Sequence, residues 1–208
     1  MAIDEARELP IYGRLGEMAR LLAEAGALVL SAEPGAGKTS LAPLAAAGLL
    51  PGAKALGRGK VLVVEPRRVA ALAAAERMAA IAGTRVGDGV GYRVKGASAA
   101  GASTRVEAVT PGVLVRLLQD DPELAAASCV VLDEFHERSA QADLAAALLL
   151  EARQYRPELL LLAMSATIDS ARSAERLGAA AMEVPGRSFP VETRHSPVAG
   201  GPGFEEAF

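Results

Sequence analysis

The stretch Leu28–Gly48, LVLSAEPGAGKTSLAPLAAAG, decides the fold. An apolar run stops at a loop of small residues and resumes as an alanine-rich helical pattern. Within it Ala32–Thr39, AEPGAGKT, fits the phosphate-binding pattern G-x-x-x-x-G-K-[ST], except that Ala32 stands where the first glycine is usual. Gly35 and Gly37 lack Cβ atoms, which lets backbone N–H groups turn inward around phosphate oxygens. The following helix presents its positive N-terminal end to the same anion. Lys38 supplies a point charge for the β and γ phosphates of ATP, and the Thr39 hydroxyl is placed to ligate Mg2+. Ala32, Glu33, Pro34, Gly35, Ala36, Gly37, Lys38, Thr39 and Ser40 are thus the expected nucleotide cradle. A glycine-rich turn that merely caps a helix is the competing reading, and strand, loop, Gly-Lys-Thr and helix in that order speak against it.

Outward from this loop, short apolar runs alternate with longer helical stretches. Strands are expected at Ala27–Ser31, Lys60–Glu65, Arg105–Thr110, Cys129–Asp133 and Leu159–Ser165, each rich in Val and Leu as strands covered on both faces are. Helices are expected at Lys38–Gly48, Arg67–Ile81, Pro111–Gln119, Ala140–Tyr155 and Ser170–Leu177, with a leading amphipathic helix over Ile11–Ala25. Strand then helix, repeated, implies right-handed βαβ units and a three-layer α/β domain with a mainly parallel central sheet. Pro51–Gly59 and Val198–Gly203 read as a surface loop and a chain end.

The chain has 208 residues, enough for one well-filled domain. Its composition is 51% apolar but only 3% aromatic, so the core must come from Ala, Val and Leu on closely packed elements. A net charge of −3 gives no whole-molecule argument for nucleic-acid binding, and any such contact must be local. No apolar run approaches the ~18 residues of a membrane span, and MAIDEARELP lacks the basic and apolar regions of a secretory signal. A cytoplasmic, membrane-free protein is expected. Cys129, the single cysteine, reads as a buried structural thiol.

The stretch CVVLDEFHERS places Asp133 and Glu134 at the C-terminal end of an apolar strand, the edge where parallel sheets bind ligands. Asp133 can hold Mg2+, directly or through water, and Glu134 can orient and deprotonate an attacking water. The alternative for adjacent carboxylates is a solvated turn or a helix N-cap.

Asp133-Glu134-Phe135-His136 resembles the Asp-Glu-x-His tetrad of the DEAH-box helicases of superfamily two, and the ERS that follows matches their continuation. EPRRVAALAAAERMA (Glu65–Ala79) resembles their motif Ia, VGYRVKG (Val90–Gly96) a stretch typical of the family, TPGVLVRLL (Thr110–Leu118) motif Ib and MSAT (Met164–Thr167) motif III. The late VPGRSFPVE (Val184–Glu192), with Ala32 and Phe135, is most similar to the bacterial HrpB type.

The resemblance implies the first RecA-like domain, over residues 1–190, with 191–208 as a chain end or the start of a linker. The second domain, whose arginines reach the γ-phosphate, would be a partner in cis outside this chain. It implies RNA or single-stranded DNA as the other partner, with Arg67, Arg68, Thr110 and Gly112 touching the strand backbone; ordinary solvated charge is the alternative for the arginines. Arg77 matches an arginine that stacks on adenine, a surface helix arginine being the other reading. His136 is expected to link the γ-phosphate to the second domain, although a lone histidine is more often a hydrogen-bonding core residue. Ser165 and Thr167 are expected to bond back toward the carboxylates and couple hydrolysis to domain movement, or else to cap the next helix. His195 has no assigned role. A small P-loop kinase would need an acceptor pocket and an arginine-bearing lid, which the sequence does not show. A non-catalytic adaptor would lack Glu134 or Ser-Ala-Thr, and both are intact.

Overall fold

The computed structural model describes residues 3–137, 139–166 and 170–185. An eight-stranded sheet, in the order β4-β3-β5-β2-β6-β7-β1-β8, forms the middle layer. Its strands are β1 (Ala27–Ala32), β2 (Lys60–Val64), β3 (Val90–Val94), β4 (Ala97–Ala99), β5 (Val106–Val109), β6 (Ala127–Leu132), β7 (Leu160–Ser165) and β8 (Ala180–Val184). Only β3 and β4 pair antiparallel among the described strands; every other ladder is parallel.

Helices cover both faces, as expected for strands buried on two sides. Short α1 (Ile3–Arg7), α2 (Leu15–Ala25), α3 (Lys38–Ala46) and α4 (Arg68–Ala82) lie on one face. There Met18, Leu22, Leu41, Leu44, Ala71 and Met78 meet Leu28, Leu30 and Val63. On the other face α5 (Pro111–Asp120), α6 (Ala140–Tyr155) and α7 (Ser170–Leu177) bury Leu114, Leu118, Ala145, Leu149 and Leu177 against Val29, Val130 and Leu161. Alanines on α4 and α6 keep the layers close, and so replace the missing aromatic volume.

Several boundaries depart from the sequence reading. The leading helix begins at Leu15, not Ile11, because the Ile11 N–H donates to the Ala36 carbonyl at 3.2 Å and a single 3-10 turn, Tyr12–Arg14, intervenes. The first helix after the phosphate loop stops at Ala46, and Gly48 follows at φ +70°. Three strands, β3, β4 and β8, were not expected. The stretch Val90–Gly96 forms β3 and its turn at the sheet margin. Val198–Gly203, His195, the boundary at 190 and most of Val184–Glu192 lie outside the described residues.

Two arginines serve the fold at the end of the sheet away from the phosphate loop. Arg153 donates to the Leu159 and Gly26 carbonyls at 2.8 and 2.9 Å, and Arg156 to those of Leu124 and Ala127 at 2.7 and 2.8 Å. Cys129 is fully buried, and desolvation pushes its thiol up to about 12.

Candidate nucleotide and nucleic-acid site

Strands β6, β7 and β1 lie side by side, so the segments leaving their C-terminal ends converge. β1 ends at Ala32, and the loop turns through Gly35 at φ +82° and Gly37 at φ +91° before α3 starts. Those two positions require glycine. Ala32 does not, because it is still extended and pairs with Val184 of β8, which explains how alanine replaces the usual first glycine. Ala32–Ser40 therefore runs from the last strand residue through a five-residue loop, Glu33–Gly37, into the first three residues of α3. A Cβ on Gly37 would lie 2.8 Å from Leu9 Cδ1 and 3.3 Å from Ile11 Cγ2, so the segment before α2 forms the floor of the loop.

β6 delivers Asp133 and Glu134 to this edge. The Thr39 hydroxyl donates to Asp133 Oδ2 at 2.5 Å across 94 residues of chain. Asp133 Oδ1 accepts from the Glu134 N–H at 2.8 Å. Asp133 is 6% exposed, and burial raises its carboxyl pKa against those two hydrogen bonds, which lower it. Glu134 sits at φ +45°, a strained backbone for a side-chain-bearing residue and one that concentrates at functional sites. Its Oε1 lies 3.4 Å from buried Lys38 Nζ. Lys38 and Glu134, separate in sequence, thus form one ion pair.

His136 Nδ1 lies 3.3 Å from Ser165 Oγ and 3.4 Å from Glu134 Oε2. Ser165 therefore reaches the carboxylate region through His136. Thr167 lies outside the described residues. The Phe135 N–H donates to the Met164 carbonyl at 2.9 Å and ties this turn to β7.

A hydroxyl and a carboxylate are the hard oxygen donors that Mg2+ takes when it arrives with phosphates and water. Among the described residues no group of three or more His, Cys, Asp or Glu gathers as a dedicated metal cage. Thr39 and Asp133 thus fit a nucleotide-borne magnesium.

Arg67 and Arg68 open α4, with Arg67 in extended conformation at its N-cap and both side chains exposed. Arg67 Nη2 lies 3.2 Å from Glu137 Oε2, a pairing the sequence did not suggest. Thr110 occupies the α5 N-cap without its side chain capping, and Gly112, the second residue of the helix, is exposed. Pro66, Pro111, Asp133, Glu134 and Glu137 line one shallow cleft, so the segments after β2, β5 and β6 share a single rim. Arg77 is exposed on α4. Glu65, absent from the predicted site, is 3% exposed and contacts Asp133. The available signal was a carboxylate ending an apolar strand, as at Asp133.

Residues 17–176 match the DEAD/DEAH box helicase family. Over 203 residues the chain is 46% identical to the ATP-dependent RNA helicase HrpB of Escherichia coli strain K12, covering 96% of this chain and 24% of that protein. A crystal structure of the E. coli DEAH/RHA helicase HrpB is similar with a TM-score of 0.84 at 45% identity, over 96% of this chain and 25% of its own. Another, of the E. coli DExH-box NTPase HrpB, gives 0.80 at 46% identity, over 96% and 24%. The chain spans about a quarter of the length of these relatives.

Proposed function

The chain belongs to the DEAD/DEAH box helicase family, and on that premise we propose that it is the ATP-binding, first RecA-like domain of a cytoplasmic helicase acting on RNA. The observation that carries this reading is the Thr39–Asp133 contact beside the Lys38–Glu134 pair. It gathers a phosphate loop, a metal-holding carboxylate and a water-orienting carboxylate at one sheet edge. Backbone N–H groups of the glycine turn and α3 bind the β-phosphate, and Lys38 exchanges Glu134 for the β and γ oxygens. That exchange frees Glu134 to orient water toward the γ-phosphate, with His136 beside its second oxygen and Ser165 beside His136. Thr39 and Asp133 would hold magnesium, which would supply charge neutralisation on the phosphates. Arg77 stacks on adenine.

The strand backbone of RNA crosses the rim formed by Arg67, Arg68, Thr110 and Gly112. Arg67 leaves Glu137 for a phosphate at small cost, because exposed pairs are worth roughly 0–1 kcal/mol. The second RecA-like wall belongs to the part of the relatives this chain does not cover. An arginine supplied across such a cleft is worth ~10³–10⁵ in rate, so the 208 residues alone bind nucleotide but turn it over very slowly. Calorimetry with Mg·ADP on wild type and Lys38→Ala tests the core of the proposal. Loss of binding in the variant is expected; equal affinity in both refutes it.

A further inference from the structure

The phosphate loop is tied to the chain before α2 by one backbone hydrogen bond, which takes no part in the chemistry described above: the Ile11 N–H donates to the Ala36 carbonyl at 3.2 Å. Ile11 is fully buried at φ −70°. It belongs to a short turn in which the Tyr12 N–H donates to the Leu9 carbonyl and the Arg14 N–H to that of Ile11, each at 2.9 Å. The donor is therefore rigid. Its acceptor is not, because Ala36 stands between Gly35 and Gly37, and a peptide that ends on glycine can rotate as a plane at little cost. Packing does not hold this flank of the loop either. A Cβ on Gly35 would meet nothing within 4 Å, and a cavity of about 260 Å³ lies against Pro34, Gly35, Ala36, Glu8, Leu9 and Pro10. Ala36 is itself buried, so a carbonyl deprived of Ile11 would be left unsatisfied or would turn.

In a planar trans peptide the carbonyl and the N–H of the next residue point in opposite directions. With its carbonyl drawn toward Ile11, the Ala36–Gly37 peptide holds the Gly37 N–H away from the Ile11 backbone. That N–H makes no hydrogen bond among the described residues. We propose that Ile11 is a positioning residue for the phosphate loop: its backbone N–H fixes the Ala36–Gly37 peptide so that the Gly37 N–H is aimed at the β-phosphate, beside the first N–H groups of α3. The inference rests on the nucleotide reading of this site. Without the tie the same peptide could turn its carbonyl to the phosphate, and attraction would become repulsion. Because the main chain does the positioning, any residue that keeps an N–H at position 11 serves, and proline does not.

The test is Mg·ADP affinity of the chain by calorimetry for wild type, Ile11→Ala and Ile11→Pro, with urea unfolding of each. Proline fits the φ of −70° and removes the donor, whereas alanine keeps the donor and removes most of the buried side chain. Ile11→Pro should lose about 10–100-fold in affinity, the worth of one hydrogen bond to a charged oxygen. Ile11→Ala should bind as wild type does, although it unfolds at lower urea. An Ile11→Ala protein that loses as much affinity as Ile11→Pro overturns the proposal, because packing and not the tie would then shape the loop. So does an Ile11→Pro protein that binds as wild type does. Should the variants fail to fold, amide exchange in wild type decides. There the Ile11 N–H should be protected with and without ADP, and the Gly37 N–H should exchange freely without ADP and slowly with it. A Gly37 amide that ADP leaves unchanged, or an Ile11 amide that exchanges freely, overturns the proposal. Absence of ADP binding by wild type would instead remove the nucleotide reading and this inference with it.

Discussion

Replacing Gly37 by alanine perturbs the phosphate loop in two separable ways. At φ +91° an L side chain is strained, at roughly 1–2 kcal/mol. The added methyl would also sit 2.8 Å from Leu9 Cδ1, 3.1 Å from Leu9 Cβ and 3.3 Å from Ile11 Cγ2. Leu9 Cδ1 can swing aside, but Leu9 Cβ and fully buried Ile11 cannot, and overpacking of this kind costs about 1–3 kcal/mol. Gly37→Ala is therefore expected to destabilise the chain by about 2–5 kcal/mol, a large share of the ~5–15 kcal/mol a domain possesses. Adding Leu9→Gly removes the approaches to Leu9 Cδ1 and Cβ and leaves the backbone part with the 3.3 Å approach to Ile11 Cγ2. In urea unfolding the double variant should be more stable than the sum of the single effects predicts, by about 1–3 kcal/mol. A Gly37→Ala protein within about 0.5 kcal/mol of wild type, or strict additivity with Leu9→Gly, would refute the claim that the upstream segment floors the loop.

RNA affinity should fall steeply with salt, and Arg67→Ala with Arg68→Ala should flatten that slope by about two, as read by fluorescence anisotropy across a salt series. Glu137→Ala, which removes the acceptor competing for Arg67, should tighten RNA binding by up to about 5-fold, and a weakened complex would contradict the exchange. Glu65 holds its proton to about pH 8 in the fold but to about 4.5 when unfolded, so the native state binds the extra proton between those values and wild-type stability falls as pH rises through that window. Urea melts should therefore show the advantage of Glu65→Gln over wild type growing from pH 5 to pH 8, by up to ~1.4 kcal/mol per unit; a constant difference argues against the raised pKa. Cys129, buried and pushed up to about 12, should react with a thiol reagent at pH 8 only as fast as the chain unfolds, and prompt labelling of native protein would contradict its burial.

What the sequence made legible is what local chemistry specifies. The glycine-lysine-threonine turn, the acidic pair and the alternation of strand and helix all depend on near neighbours, and α6 and α7 begin and end where their patterns do. The strands β3, β4 and β8 escaped because they sit at the sheet margins. There Gly91 and Gly96 interrupt the apolar run, and β8 is buried at only alternate positions. The start of α2 escaped for another reason: Ile11 is pinned by a carbonyl in the phosphate loop, which no local pattern announces. Glu65 shows the same limit at the site itself. Its carboxylate was visible at a strand end, but its meaning depends on β2 and β6 being neighbours, and strand order is a property of the folded sheet.

β8 gives the domain a mechanical property. It is the marginal strand, hydrogen-bonded only to β1 among the described strands, with Leu28 opposite Ala180 and Ala32 opposite Val184. Because the two run parallel, the chain leaves β8 at the end where the phosphate loop begins. Tension applied beyond Pro185 along the strand would load the β1–β8 ladder in shear, all rungs together, instead of peeling them one by one. The rung nearest the load is Ala32 itself. A pull transmitted through β8 is thus felt first at the residue where the glycine-lysine-threonine loop starts, and the sheet margin works as a tendon inserted beside that loop.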